Sequence, residues 1–298
     1  MGRGTFVRVV ASVSAGLLIA ACGGSPNNPG PVVPPQQFTS EPAAPAPPNS
    51  ATVIESLSAK GRRSKEPVNF ADLGETLDLT ATVHDDETPV EELEFQWSAA
   101  VGTFEGSGAN VTWRAPDDAE TPLAVEITAK VIEKYGYPGQ PKIYQQDVSG
   151  SITVSLHNSN AELNDMSRQF LLDFSDSNIR DVGYIMRNFQ PGCWGTADET
   201  AQVRENRRRY RIVESRVESA STTVNFGSTC PYGPRKVSDA CTAVPVFWRS
   251  LDMDEHNSEE RVAGADWLAS VYNQEQQRWY LCDSSFEGHR AAHSTFIK

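Results

Sequence analysis

The residues whose types and spacing invite chemistry gather in "TADETAQVRENRRRY", Thr196 to Tyr210. At about 100° per residue along a helix, Thr196, Glu199, Val203, Arg207 and Tyr210 fall on one stripe, with Asn206 beside it. Asp198, Arg204, Glu205, Arg208 and Arg209 fall mostly on the opposite side. A guanidinium on the stripe that faces a sheet recognises a carboxylate through two parallel N–H bonds. Arg207 is therefore the candidate anion-binding group of a pocket, with Glu199 and Tyr210 beside it. The structural alternative is a partly buried Arg207 paired with Glu199, Asp173 or Asp266. The other arginines stand late in the helix, where cations suit the macrodipole, and near Asp198, Glu199 and Glu214. They read as a solvated face, with Glu205 spaced to pair with Arg209.

Trp248, Trp267 and Trp279 sit on neighbouring strand candidates and supply the aromatic part of the same pocket. In "RWYLCD", alternation puts Trp279, Leu281 and Asp283 on one face and Tyr280 and Cys282 on the other. Catalytic groups are harder to find. His84 and His157 belong to the first half of the chain, His256 to an acidic turn, and His289 and His293 to the C-terminal tail. The four-residue spacing of the last two suits a metal only on a helix, and they follow Gly288 at the chain end. "HDDETP" offers Asp85, Asp86 and Glu87 to calcium, which takes about six to eight oxygens, so a solvated turn is the expected reading. There is no G-x-S-x-G, H-E-x-x-H or Gly-rich phosphate loop. The expectation is a non-enzymatic protein with no catalytic residue, cofactor or metal. The enzyme alternative needs a carboxylate of raised pKa inside the pocket, Asp266 or Asp283 being available.

The ends of the chain bound its compartment. "MGRGTFVRVVASVSAGLLIAAC" runs from Arg3 and Arg8 through an apolar core to small residues, the order of a secretory signal. Ile19-Ala20-Ala21-Cys22 resembles the lipobox of bacterial lipoproteins. The resemblance implies cleavage after residue 21, acyl chains on Cys22 that anchor the protein durably, and, with Gly23 following, an outer-membrane address in a Gram-negative envelope. Ser25 to Ser50 is proline-rich and nearly uncharged, a tether of up to about 80 Å at ~3.1 Å per residue. The formal net charge is −13, and removing residues 1–21 takes away two arginines and no acid. That balance disfavours nucleic acid as a partner. A membrane reached through the Cys22 lipid, an envelope protein, a small ligand or a second copy of the chain remain. Four further cysteines suit two disulfides in an oxidising compartment. Cys230 and Cys241 bracket a Pro/Gly loop and are expected to close it, leaving Cys193 for Cys282.

Two periodicities divide the rest. Residues 51–158 alternate at period two, with Leu77, Leu79, Ala81 and Val83 on one face, Phe95 with Trp97, and Val111 with Trp113. Trp97-Ser98, Gly102-x-Phe104 and Val111-x-Trp113-x-Ala115-Pro116 resemble bacterial Ig-like and PKD-type domains, which implies an all-β sandwich. From Ser159, with Glu162 in capping-box spacing, residues 159–288 open with helices carrying Leu163, Met166, Phe170 and Leu171. They continue as strands that include "YRIVESRVESASTTVNFG", and residues 289–298 form a tail. Helices before long antiparallel strands are an α+β order. The order, with "FLLDFSDSN" and "ADETAQVRENRRRY", resembles the NTF2-like (SnoaL-like) cone, which implies a curved sheet around a ligand pocket. The fold class expected is thus a sandwich followed by an α+β domain. The function expected is a lipid-anchored envelope protein that presents a binding domain on a spacer. A cone-pocket isomerase or hydrolase, or an adaptor whose cone its own tryptophans fill, are the alternatives.

Overall fold

A computed structural model describes residues 45–231 and 236–289. The signal at 1–21, the lipidation site Cys22, most of the tether and His293 lie outside the described residues. From Ala46 on, the chain is one compact unit. No helix among the described residues is long and apolar enough to cross a membrane.

Apart from one 3-10 turn at Val90–Glu92, the regular elements of the first half are all strands. It comprises β1 (Val53–Lys60), β2 (Phe70–Asp72), β3 (Thr76–His84), β4 (Glu94–Ala99), β5 (Thr103–Ser107), β6 (Asn110–Arg114), β7 (Leu123–Gly136) and β8 (Ile143–His157). They form two four-stranded sheets, ordered β1-β3-β6-β5 and β2-β8-β7-β4. The period-two pattern decides which side chains go in. Leu77, Leu79, Val111 and Trp113 of one sheet meet Val125, Ile127, Val154 and Leu156 of the other in a shared core. Trp113 is fully buried and its Nε1 donates to the Val101 carbonyl at 3.1 Å. The turn beside it needs a glycine. Gly102 has φ +81°, and a Cβ there would stand 2.4 Å from Trp113 Nε1.

The second half comprises α1 (Ser159–Ser175), α2 (Val182–Ile185), α3 (Thr196–Arg209), β9 (Tyr210–Val217), β10 (Ser221–Ser228), β11 (Ser238–Asp252), β12 (Ser258–Asn273) and β13 (Arg278–His289). β13 thus runs one residue past the expected boundary at 288. The five strands make a curled antiparallel sheet, β10-β11-β12-β13, with β9 also on β11. The expected single strand from Tyr210 to Gly227 is two strands. β10 pairs with the first part of β11 and β9 with the second. The break falls opposite Pro245, which has no N–H to give a continuous ladder. Its carbonyl instead accepts from Glu218 N at 3.0 Å. α1 packs against β9, β10, β11 and β13.

One helix start differs from expectation, and a second carries no side-chain cap. Asn158, not Ser159, caps α1: its side chain accepts from Ala161 N at 3.1 Å, and Glu162 reaches back to Asn158 N at 3.1 Å. Ser159 Oγ is taken by Trp279 Nε1 at 3.0 Å. Gly195 starts α3 without a side-chain cap, because Thr196 Oγ1 donates to the Gln190 carbonyl at 2.9 Å and Glu199 is turned inward.

The halves meet through one aromatic cluster. Phe70 of β2 lies flat on His157 (5.1 Å) and edge-on to Tyr272 (4.9 Å), Phe226 (5.5 Å) and Trp279 (6.2 Å). His157, fully buried, bonds Ser155 Oγ at 2.8 Å, Tyr272 OH at 3.1 Å and Glu162 at 2.9 Å. Phe70→Ala is expected to cost about 3–5 kcal/mol. A lowered urea midpoint checks it, and an unchanged midpoint contradicts this account of the seam.

Candidate functional site

A cavity of about 320 Å³ lies between the helices and the sheet. Phe170, Leu171 and Phe174 of α1 form one wall, and Glu199, Gln202 and Asn206 of α3 another. Trp248 of β11, Asp266 of β12 and Ser284, Ser285 and Phe286 of β13 complete it.

A bulge in β13 sets its chemistry. Asp283 stands opposite Ala269 but Leu281 opposite Ser270, so Cys282 is the extra residue. The alternation expected from "RWYLCD" therefore fails at this point. Asp283 leaves the face of Leu281, and Ser284 and Phe286 turn to the helix side, level with Leu268 and Asp266. The bulge is held on both flanks. Leu281 exchanges backbone bonds with Asn188 and Gln190 (2.8 and 2.9 Å), and Cys282 pairs with Cys193 at a Cα–Cα distance of 5.5 Å. Gly195 lets the start of α3 approach, since a Cβ there would lie 2.4 Å from Asp283 Cβ.

Within this frame Glu199 is 5 % exposed and accepts from Ser284 Oγ at 2.9 Å. Burial, with a further contribution from the Asp283 charge, pushes its carboxyl up to about 7 against the pull of the Ser284 hydrogen bonds. Asp266 is also buried. Trp248 Nε1 donates to Ser175 Oγ at 2.7 Å, and its ring meets Phe174 at 5.5 Å and Phe286 at 6.1 Å. The result is an aromatic box with two carboxylates, two amides and two serines.

Of the six residues expected in a pocket, only Glu199 and Trp248 line this one. Arg207 donates from Nη2 to the Asp173 carbonyl at 2.6 Å and lies 5.7 Å from the Phe174 ring. It closes the last turn of α1, where carbonyls lack helical partners. The Asp173 side chain is taken by Arg187. Tyr210 opens β9 opposite Asp252, under the Arg209 guanidinium. Trp267 is on the other face of the sheet with Cys230, Cys241 and Ala269, its Nε1 donating to Glu287 at 3.1 Å. Trp279 belongs to the seam around Phe70. Of the other arginines, Arg209 binds the buried Asp252 (2.6 Å), not Glu205, and Arg208 binds Glu205 and Asp254 at the surface (both 2.7 Å).

Sequence reasoning did not reach Phe170, Phe174, Gln202, Ser284 or Phe286 as site residues. Gln202 and Asn206 follow Glu199 at i+3 and i+7, which is the signal that places them on its side. Ser284 carried no signal, because the bulge reverses its parity. The pairing of Cys230 with Cys241, at a Cα–Cα distance of 5.4 Å, is the loop closure expected. No group of three or more metal-ligating side chains occurs among the described residues. Asp85 is occupied by its turn, accepting from Thr52 Oγ1 at 2.7 Å and Thr88 N at 2.8 Å.

Because the native state holds the Glu199 proton more tightly than the unfolded chain does, its contribution to stability is fully present below pH ~4.5 and declines up to about 7. Glu199→Gln should flatten that part of the stability-versus-pH curve, read from urea midpoints between pH 4 and 8. Arg207→Ala should lose about 1–3 kcal/mol with its charged hydrogen bond while the cavity keeps its shape. A crystal structure of the variant with Phe174 collapsed into the cavity would contradict the second statement.

In comparisons with known proteins, no family model, no curated protein and no solved structure matches this chain.

Proposed function

We propose that this chain is a cell-envelope lipoprotein that binds a small molecule between its helices and its curled sheet. Lipid on Cys22 anchors it, in the outer membrane of a Gram-negative cell, and the proline-rich stretch holds it off the surface. The two-sheet half, of Ig-like type, is the spacer, and the helix-and-sheet half, of NTF2-like type, carries the ligand. The observation that supports binding is the composition of the cavity. Its volume falls in the range of small-molecule sites, and a few polar groups converge within aromatic walls. An adaptor with an interior filled by its own tryptophans is less well supported, because Trp267 and Trp279 pack elsewhere.

One observation favours a second reading. A carboxyl group that ionises near neutral pH, bonded to Ser284 in a cavity it shares with Asp266, is equipped to accept or donate a proton. On that reading Glu199, rather than Asp266 or Asp283, is the acid–base group of an isomerase- or hydrolase-type site, and Asp283 is displaced from it by the bulge.

Native mass spectrometry of the full chain in mild detergent tests the proposal. The expected result is an added small-molecule mass that leaves on denaturation. A bare protein mass, together with no thermal stabilisation by any compound of a metabolite library, overturns it. A released compound that returns chemically altered after incubation moves the assignment to the enzyme.

A further inference from the structure

We infer that the β7–β8 hairpin is a second membrane contact, a tip that seats Tyr137 and Ile143 in the headgroup region of a lipid bilayer. The inference rests on the lipoprotein reading above, which brings a bilayer within reach, and it names a surface that reading leaves unused. β7 makes its last pair with β4 at Ile132, yet it stays paired with β8 as far as Gly136 and Ile143. β2 meets β8 only from Ser155 to His157. The end of the hairpin therefore stands out from its sheet as a ribbon of two strands. Every residue from Tyr137 to Ile143 is exposed, Tyr137 at 41 % and Ile143 at 63 %.

The composition of this tip suits the boundary between water and lipid. Tyr135 and Tyr144 pair across the ribbon with ring centres 5.7 Å apart, and Lys142 Nζ lies 4.6 Å from the centre of the Tyr144 ring. Ile143 stands opposite Gly136, on the other face. Tyrosine presents an apolar ring with a polar end, and lysine lays its stem on apolar surface while its charge stays in water. Both serve as interfacial anchors in membrane proteins. From Lys134 to Gln146 the sequence has two lysines and no acid, in a chain of net charge −13. Lys134 pairs with Glu94 at 2.6 Å at the base, and Lys142 stands at the tip. The turn also has little backbone to dehydrate. Pro138 and Pro141 carry no N–H, and Gln140 N donates to the Tyr137 carbonyl at 3.1 Å. Pro138 followed by Gly139 at φ +75° sets the turn before any contact is made.

The entry of the chain into the folded unit lies at the foot of the same hairpin. Asn49 Nδ2 donates to Glu133 at 2.7 Å, and Gln146 Nε2 donates to the Ser50 carbonyl at 2.7 Å. Glu133 and Gln146 are themselves a cross-strand pair of β7 and β8. A weak contact suffices at such a tip, because lipid on Cys22 makes its docking an intramolecular step. The tether limits how far the folded unit can stray, and the hairpin decides which end of it returns to the bilayer.

The test places a photoreactive phenylalanine analogue at Ile143 or, in a second preparation, at Val213 of β9, which is 40 % exposed. The mature chain is illuminated on phosphatidylcholine vesicles, whose zero net charge keeps the charge of the protein out of the result. Lipid adducts are expected at position 143 and not above background at 213. The chain without its first 22 residues, which lie outside the described structure, should still sediment with the vesicles. Tyr137→Ser combined with Ile143→Ser should weaken that partition about tenfold or more, with thermal melting unchanged because both side chains are exposed. The same labelling at 143 and 213, adducts at 143 with protein in place of lipid, or a partition that the double variant leaves unmoved overturns the inference. Whole-protein mass reports Cys22 separately. Lipid on Cys22 without labelling at 143 removes the hairpin contact and leaves the anchor, whereas a hairpin-dependent partition without lipid on Cys22 does the reverse.

Discussion

Phe70 is the side chain on which the arrangement of the two halves depends. It sits on a three-residue strand that pairs with the end of β8, immediately before α1 begins. Four aromatic rings close around it, one from its own half and three from the other. His157 is buried beneath it with both ring nitrogens bonded, to Ser155 and Tyr272 on one side and Glu162 on the other. A buried polar group left unbonded is costly, so these partners are tightly constrained. Arg63 covers the cluster from outside, 5.4 Å from the Phe70 ring and 4.9 Å from that of Phe226, while bonding Glu66, Asp72 and Glu75. Asp72 in turn accepts from Ser159 N at 2.8 Å, tying the first turn of α1 to β2. The direction in which α1 leaves the first half, and so the position of Phe170 and Phe174, follows from this junction.

Beyond the seam, the cavity owes its form to two departures from a regular sheet. Pro245 interrupts the ladder on one edge of β11, so β9 and β10 can take different directions and the sheet curls. The bulge at Cys282 then re-aims β13, bringing a serine and a phenylalanine to the side where a regular strand would put Asp283. Irregularities of this kind increase local twist and recur beside functional sites. Here one of them is secured by a disulfide and by the backbone bonds of Leu281. The cavity is thus lined by Ser284 next to Glu199, and Asp283 stays on the far side of the bulge.

The arginine run shows how one charged segment divides its work. Arg207 caps the end of α1, Arg209 binds the buried Asp252, and Arg208 meets Glu205 and Asp254 at the surface. Exposed pairs of the last kind contribute little to stability. Arg207 is half-buried, and burial lowers its pKa although Asp176 opposes the effect. With these arginines occupied elsewhere, the buried acid of the same helix faces the cavity with Ser284 as its neighbour. Position on one helix stripe placed Glu199 and Arg207 on the same side, but what each touches was settled by elements far away in sequence.

Local periodicity was enough to determine most of the elements. The alternation of Leu77, Leu79, Ala81 and Val83 describes β3, the spacing of Leu163, Phe170 and Leu171 describes α1, and the loop between Cys230 and Cys241 indicates which cysteines meet. These are short-range properties, because side-chain direction follows from φ and ψ within a few residues. The site was less legible. Glu199 and Trp248 could be picked out by type and position, whereas Trp267, Trp279, Arg207 and Tyr210 had equal credentials and pack elsewhere. Ser284 and Phe286 depended on a bulge, which changes the parity of a strand without any sign in composition. Asn158 displaced Ser159 as helix cap because Trp279, 120 residues further on, claims the serine hydroxyl. The sequence by itself determined where most strands and helices run and which face of each regular one is apolar. Only the tertiary structure decided which apolar faces meet and which buried carboxylate is left facing a cavity, since those outcomes rest on contacts between residues far apart in the chain.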